Sequence, residues 1–412
     1  MRIAIDLRPL QIGHQNRGIG AYLQNILRYF PDDDSIEYIF LRYKESDPVK
    51  EFSISNGKKY REIVVARYEF APMPKPALLF LWGLITPIYI RLLPYRPDIF
   101  FQPDYLLGLP NWLFAKKTVV TCYDLIPLKF KAMYLPSWQR FAGKRHLRLR
   151  SRVRQSIRAI YYTRKYAKGL RTFRKADSIL SISNTTTADL TSIAKVNKQK
   201  IKTIYLAASY RDTDNALNDK IPAELHGLRY IFYIGGGDKR RQIAKLVGAF
   251  NKLNGRGHAI DLVLAGNEFA IDSKETSSDV REALKTSSYA NRIHLLGIIS
   301  ESQKLAIMKQ AAIFAYPSLY EGFGLPILEA MLAGSPVVTY RNSSIEEIGG
   351  DDVTYASVET SDGLYDALVS ILTMDRSKIE TMTNRAWQNA SRFSWSETGS
   401  ETWELIKRVS GV

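Results

Sequence analysis

Residues 313–330 read IFAYPSLYEGFGLPILEA. The apolar run Ile313–Tyr316 has the length and composition of a buried strand, and a helix is expected from Leu325 to Leu332. A strand that passes through a glycine-bearing loop into a helix sets the helix N-terminus, with its unpaired amides and positive dipole end, beside whatever the loop holds. Gly322 and Gly324 let the backbone approach a ligand closely, and Pro326 fits the first helical turn, where its missing N–H costs nothing. Such an end suits a diphosphate. Glu321 lies in the loop and Glu329 a turn or more inside the helix; a phosphate would repel both, so their natural partners are hydroxyl groups, which a sugar ring and a ribose both supply. The plainer alternative is an ordinary loop–helix junction with two solvated glutamates.

Two further loops have the same strand–glycine–helix grammar. Gly235–Gln242, GGGDKRRQ, follows the strand Tyr230–Ile234 and adds the cations Arg240 and Arg241 to a run that includes Gly236. Read alone, it could equally be a solvated basic helix start. Arg17–Tyr22, RGIGAY, stands between the first strand, Arg2–Ile5, and a helix over Ala21–Phe30, where Gly18 and Gly20 would admit an anion. No third glycine of the dinucleotide fingerprint follows, which argues against a Rossmann dehydrogenase.

Outward from these loops, strand and helix signals alternate along most of the chain, the mark of parallel-sheet α/β domains. The chain has 412 residues, too many for one ordinary core, so two domains are expected, with a linker near residues 206–226 where the sequence is polar and aperiodic. Ser394 and Glu397 have capping-box spacing and open a last helix bearing Trp403, Ile406 and Val409, which has the option of crossing back onto the first domain. Residues 77–93 are strongly apolar but short for a membrane span and interrupted by Pro87. A buried or membrane-surface helix fits them better.

Charge is concentrated rather than spread. The chain carries 58 Lys and Arg against 41 Asp and Glu, a net +17, and residues 125–176 hold 16 of the cations with no acid. The remainder is nearly balanced. In residues 139–176, Leu149, Val153, Ile157 and Ile160 fall at helical spacing beside a row of Arg150, Arg154 and Arg158. Such a surface points to an anionic membrane leaflet; nucleic acid ranks low because no recognised binding module accompanies the charge. The single cysteine, Cys122, excludes an internal disulfide and a cysteine metal cluster and fits a reducing compartment. No apolar signal region opens MRIAIDLRPL, so the expected location is cytoplasmic, peripheral at the inner membrane face.

Taken together, these stretches resemble the retaining glycosyltransferases of family 4, the group 1, mannosyltransferase-like enzymes of GT-B fold. YEGFGLPILEAMLAGSPVV is similar to their signature with two glutamates eight positions apart, YIGGGDKRRQI to their phosphate-binding segment, and RGIGAYLQNI to their N-terminal glycine loop. VVTCYDLIPLKF is similar to the strand and loop that carry a His-Asp pair, and LSISNTTTADL, LVLAGN and RFSWSETGSETW fall in matching order. The resemblance implies an α/β fold of two Rossmann-like, doubly wound domains facing an interdomain cleft. An acceptor-binding domain would cover 1–208 and a nucleotide-sugar domain 226–392, with a crossover helix over 393–412.

It implies further that Arg240 and Arg241 hold the donor diphosphate and that Glu321 contacts the transferred sugar. Phe323, Gly324 and Leu325 would offer amides there, Glu329 would bind the ribose, and Gly18 and Gly20 would approach the phosphate from the other domain. Base selection would involve backbone near Ile298. Two departures stand out. Tyr123-Asp124 replaces His-Asp, and a phenol titrating near ~10 cannot carry a proton at neutrality as imidazole does, though it can position a sugar. Arg241 replaces a common Lys, keeping the charge with a different geometry. The implied reaction moves a hexose from a nucleotide-diphosphate sugar to a glycan or lipid-diphosphate acceptor, in cell-surface polysaccharide synthesis. It would proceed with retention, without metal or other cofactor. A sugar-nucleotide epimerase or phosphorylase on the same architecture is the alternative.

Overall fold

The structure, a computed structural model, describes residues 1–12, 18–54, 58–65, 96–107, 115–134, 163–208, 221–270 and 277–411. They form two compact units, one of Met1–Leu206 with Trp395–Val412 and one of Ala207–Ser394. Three sequence expectations fall wholly or largely outside the described residues: the apolar run 77–93, the linker stretch 209–220, and residues 139–162 of the basic segment.

The first unit is built on β1 (Arg2–Asp6), β2 (Glu37–Tyr43), β3 (Tyr60–Val65), β4 (Ile99–Gln102), β5 (Lys117–Cys122), β6 (Ser178–Ser181) and β7 (Ile201–Thr203). All pair in parallel in the order β3-β2-β1-β4-β5-β6-β7. Central strands of such a sheet are covered on both faces, which is why β4 (IFFQ) and β6 (SILS) are buried at every position. The strand order reverses between β1 and β4, so the loops leaving those two strands diverge and open a crevice at their carboxyl ends.

The second unit repeats the plan with β8 (Tyr230–Ile234), β9 (Asp261–Ala265), β10 (Ile293–Gly297), β11 (Ile313–Tyr316), β12 (Val337–Tyr340) and β13 (Thr354–Ala356), in the order β10-β9-β8-β11-β12-β13. Here the reversal falls between β8 and β11. The helix Ile243–Gly255 buries Ile243, Leu246, Val247, Phe250 and Leu253 at 3–4-residue spacing, the stripe that fixes it to the sheet.

The last helix, Trp395–Ser410, belongs to the first unit. Thr398 Oγ1 donates to the Tyr205 carbonyl at 2.8 Å, Trp403 meets the Phe30 ring with centroids 5.4 Å apart, and Leu405 and Ile406 are buried. Gly399 lets it come this close, because a Cβ there would lie 2.7 Å from Tyr29 Cβ.

Some elements differ from the sequence reading. The first helix begins at Gly18 and ends at Arg28, so Gly18 and Gly20 are helical residues rather than members of a free loop; Gly20 is buried. The intrinsic cost of glycine in a helix is offset by a strongly amphipathic stretch that buries Tyr22, Leu23, Ile26 and Leu27. The strands β2, β3, β7 and β13 were not anticipated. The edge strands among them carry polar residues or are short: β3 reads YREIVV, and its Glu62 pairs with Arg42 of β2 at 2.9 Å.

Candidate active site

The residues singled out in the C-terminal half converge where the strand order of the second unit reverses. The loop after β8 brings Arg240 and Arg241, and the loop after β11 brings Glu321. Asp238 accepts a hydrogen bond from the Arg240 amide at 3.0 Å, capping the tight turn Lys239–Arg241 that aims both guanidiniums back at the sheet. Arg240 is buried; its Nη1 donates to Glu321 Oε1 at 2.7 Å, to Ser318 Oγ at 2.9 Å and to the Tyr320 carbonyl. Arg241 lies with its Nε 3.6 Å from the same carboxylate oxygen, its Nη1 donating to the Tyr316 hydroxyl and its guanidinium 5.1 Å from that ring's centroid.

Glu321 is thus a buried carboxylate at the centre of the cluster. Oε1 also accepts from Ser318 Oγ at 2.8 Å and from the Tyr316 hydroxyl at 3.1 Å, whereas no described residue donates to Oε2. Its backbone is tied on both sides: the amide donates to Ser343 Oγ at 3.0 Å and the carbonyl accepts from Ser344 Oγ at 2.9 Å. Burial disfavours its ionisation, but Arg241, Arg240 and the hydrogen bonds from Arg240 and Ser318 outweigh that and hold the carboxyl below its ordinary range. Charged, fixed and open on one oxygen, it is an acceptor prepared for a ligand hydroxyl.

Gly324 takes a positive φ of 105°, a conformation that glycine adopts without strain, and turns the chain into the helix Leu325–Leu332 with Pro326 in the first turn. Among the described residues nothing accepts from the N–H of Gly324 or Leu325, so the positive end of this helix keeps two donors in hand. The Phe323 ring packs edge-on against Phe393, 5.9 Å between centroids, and so anchors the loop.

Glu329, one turn further on, is paired: Lys304 Nζ lies 2.8 Å from its Oε1 and 2.7 Å from Glu301 Oε2. Burial nonetheless dominates, and its pKa stands above the ordinary value, with Lys304 opposing the rise. Ile298 follows β10 at the same edge of the sheet and is 77% exposed, a large apolar side chain left in the open.

The glycine run behaves differently from a simple phosphate cradle. The Gly236 carbonyl accepts from the Tyr233 hydroxyl at 2.6 Å, and the Gly237 amide donates to Glu268 Oε2 at 2.6 Å. A carboxylate therefore already holds one of the amides of this run, and the run's value to the site is the room it leaves. Gly235, at φ 149°, would place a Cβ 2.7 Å from Arg241 Nη1.

Tyr123, Asp124, Gly18 and Gly20 lie in the first unit. Tyr123 stands edge-on to Tyr22, 5.6 Å between centroids, with its hydroxyl buried and without a hydrogen-bond partner; burial pushes its pKa well up, so it stays a neutral phenol. Asp124 Oδ1 accepts from the Ile126 amide at 2.9 Å, starting the short helix Ile126–Lys129. The sequence reading missed Tyr316, Ser318, Lys304 and Glu268. Ser318, three residues before Glu321 in the quoted stretch, was the one with a local signal; Lys304 reaches Glu329 only through tertiary packing.

Residues 214–390 match the profile of the family described as glycosyl transferases group 1. That stretch lies within the second unit and is similar to the group 1 glycosyl transferases. It is 24% identical over 335 residues to the serotype-specific mannosyltransferase WbdA of Escherichia coli, a match covering 76% of this chain and 37% of that one. It is 28% identical over 238 residues to the O-antigen chain mannosyltransferase B of Escherichia coli, covering 56% of this chain and 61% of the relative. The chain thus spans less than two thirds of the length of these relatives. Among solved structures, Anabaena Alr3699/HepE, determined with UDP and glucose, superimposes with a TM-score of 0.70 at 15% identity over 99% of both chains. The shared fold is GT-B.

Among the described residues no helix is long and apolar enough to cross a membrane, and no group of three or more His, Cys, Asp or Glu is placed to hold a metal ion.

Proposed function

We propose that the chain is a retaining hexosyltransferase that moves mannose, glucose or a similar sugar from a nucleotide-diphosphate donor to a glycan or lipid-linked acceptor during cell-surface polysaccharide synthesis. One observation carries the reading: at the strand-order reversal, two guanidiniums converge on one oxygen of Glu321 while its other oxygen and the amides of Gly324 and Leu325 have no partner among the described residues.

Leaving of a nucleoside diphosphate concentrates negative charge on the departing phosphate and cationic character on the anomeric carbon. Arg240 and Arg241, with the helix-end amides, are preorganised for the first, and they need no metal to supply positive charge there. Glu321 Oε2 holds a sugar hydroxyl and Glu329 the ribose, with the base near Ile298. Attack from the same face, with the leaving phosphate taking the acceptor's proton, gives retention. No resident cofactor enters this scheme. The relatives' names and the UDP and glucose bound by the Anabaena protein support the choice of a nucleotide hexose.

The acceptor side belongs to residues 1–208 and the donor side to 226–392. In the described part of the basic segment, the helix over 163–175 buries Thr172 and Phe173 and exposes Arg164, Lys168, Arg171, Arg174 and Lys175. Such a face suits the anionic inner leaflet, each cation near the surface contributing about 1 kcal/mol. This supports a peripheral, cytoplasmic enzyme whose lipid-linked acceptor lies in the membrane.

Calorimetry with UDP-, GDP- and dTDP-hexoses tests the donor reading. One of them binds and is slowly hydrolysed, and an Arg240→Ala/Arg241→Ala double variant abolishes the hydrolysis; no binding across the panel ends the proposal. Release of an isomerised or phosphorylated free sugar without acceptor would identify an epimerase or phosphorylase instead. Co-sedimentation with phosphatidylserine vesicles, lost at high salt, tests the membrane reading.

A further inference from the structure

We propose that the stacked tyrosines Tyr233 and Tyr316 form a clamp that keeps Arg241 out of a close, two-pronged pair with Glu321 and so leaves guanidinium N–H groups for the ligand. The inference rests on the donor reading above, in which Arg241 faces a diphosphate.

Tyr233 closes β8 one residue before its end, and Tyr316 ends β11. The two rings lie nearly parallel, 18° apart in plane with centroids 5.8 Å apart, and both are essentially buried. Each hydroxyl is committed. Tyr233 donates to the Gly236 carbonyl at 2.6 Å, and Tyr316 donates to Glu321 Oε1 at 3.1 Å while accepting from Arg241 Nη1. One phenol pair therefore joins the loop after β8 to the loop after β11. Burial raises the pKa of both phenols, so they remain neutral donors and acceptors and bring no competing charge.

The consequence lies in what Arg241 does not do. A guanidinium beside a buried carboxylate ordinarily forms a two-pronged ion pair with it. Here Arg241 Nε stops 3.6 Å from Glu321 Oε1, is buried, and has no hydrogen-bond acceptor. The Tyr316 hydroxyl takes Nη1 and its ring lies against the guanidinium, while on the other side the space over Gly235 is filled by Arg241 itself. Without that hydroxyl, the guanidinium would turn toward the carboxylate and satisfy Nε there in a close hydrogen-bonded pair. Arg240 already makes the close pair with Glu321, so a second close pair would turn both guanidiniums onto the carboxylate and away from a ligand. Tyr233 and Tyr316 are positioning residues on this account.

The test is Tyr316→Phe, which keeps the ring, the stack and the volume, and the double variant Tyr233→Phe/Tyr316→Phe. Donor hydrolysis is measured with whichever hexose nucleotide the panel identifies. Because charge on the diphosphate grows in the transition state, loss of a free Arg241 falls on turnover: kcat drops about tenfold in the single variant and about thirtyfold in the double, with KM within about threefold. In an Arg241→Ala background, Tyr316→Phe changes kcat by less than about twofold, since the group it positions is gone. A merely structural tyrosine gives the opposite pattern, with lower thermal stability, unchanged kcat for the folded fraction, and a loss that adds in full to that of Arg241→Ala. Either result overturns the clamp. Absence of donor hydrolysis in the unaltered protein, by contrast, overturns the donor reading itself and the clamp with it.

Discussion

Arg240 Nη1 and Glu321 Oε1 meet at 2.7 Å, buried, across 81 residues of chain. The contact ties the loop after β8 to the loop after β11 on either side of the strand-order reversal. Taking both charges out of water is costly, and the pair persists because Ser318, Tyr316 and the Tyr320 carbonyl satisfy the hydrogen bonds that each partner would otherwise lose.

Breaking the pair from one side is therefore expected to cost more than the pair contributes. Arg240→Ala leaves Glu321 buried beside the more distant Arg241, and a loss of about 3–5 kcal/mol in urea denaturation is expected. Glu321→Gln keeps the volume and most donors' geometry, so its stability loss is smaller, under about 2 kcal/mol. Its donor turnover falls at least about a hundredfold, since an amide accepts a sugar hydroxyl more weakly and no longer balances the guanidiniums. A Glu321→Gln protein with full turnover would remove Glu321 from the chemistry.

The two glutamates of the quoted stretch titrate in opposite directions, which gives opposite pH signatures. Glu321 has a folded pKa below its ordinary 4.5, so the stability it contributes is fully present above the unfolded value and is lost as pH falls through the folded one. Glu329 has a folded pKa above 4.5, so its contribution is present below the unfolded value and is lost as pH rises through the folded one. Relative to the unaltered protein, Glu329→Gln should gain stability as pH rises above 4.5, and Glu321→Gln should lose its disadvantage as pH falls below 4.5. Urea midpoints on either side of that pH read both. Parallel curves for either variant contradict the assigned direction.

Much of this architecture was legible because parallel α/β sheets advertise themselves. Ile313–Tyr316 and Tyr230–Ile234 are apolar runs with glycine loops after them, and the loops alone pointed to the strand ends where Arg240, Arg241 and Glu321 come together. What could not be read was the pairing within the site. Glu321 read as a partner for a ligand's hydroxyls, but its burial required cations, and nothing local says that Arg240 would reach it. Lys304 and Glu268 were invisible for the same reason: their contacts to Glu329 and Gly237 come from sheet order, not from sequence neighbours. Gly18 and Gly20 were misplaced because glycine spacing suggested a loop where the amphipathic pattern extends the helix. The cationic row at Arg150, Arg154 and Arg158 lies outside the described residues.

Two glycines that knit the loops of the second unit should respond differently to an added side chain. Gly266 has φ 138°, and a Cβ there would sit 2.1 Å from the Gly235 carbonyl oxygen; Gly235 has φ 149° and would press its Cβ on Arg241 and the Tyr233 hydroxyl. Gly266→Ala meets fixed backbone and should lose about 3 kcal/mol or more, or fail to accumulate folded. Gly235→Ala meets side chains that can move, so it should remain folded and instead displace Arg241, weakening nucleoside-diphosphate affinity about tenfold in calorimetry. Equal affinity in Gly235→Ala would show that Arg241 does not face the ligand.

The last helix should be a structural member of the first unit although it follows the second in sequence. Ile406 is fully buried in that unit, Leu405 nearly so, and Thr398 donates to Tyr205 just before the chain leaves the unit. Ile406→Ala should cost about 2–5 kcal/mol through lost burial and the cavity left behind. Gly399→Leu should do as much by a different route, because even a Cβ meets Tyr29 at 2.7 Å and the helix must lift away. Since the damage lies in the first unit, hydrogen exchange should rise in β4 and β5, against which this helix packs, while β8 and β11 keep their protection. Equal loosening of β8 and β11 would mean that the helix stabilises the second unit instead, and the assignment of residues 395–410 to the first would fall.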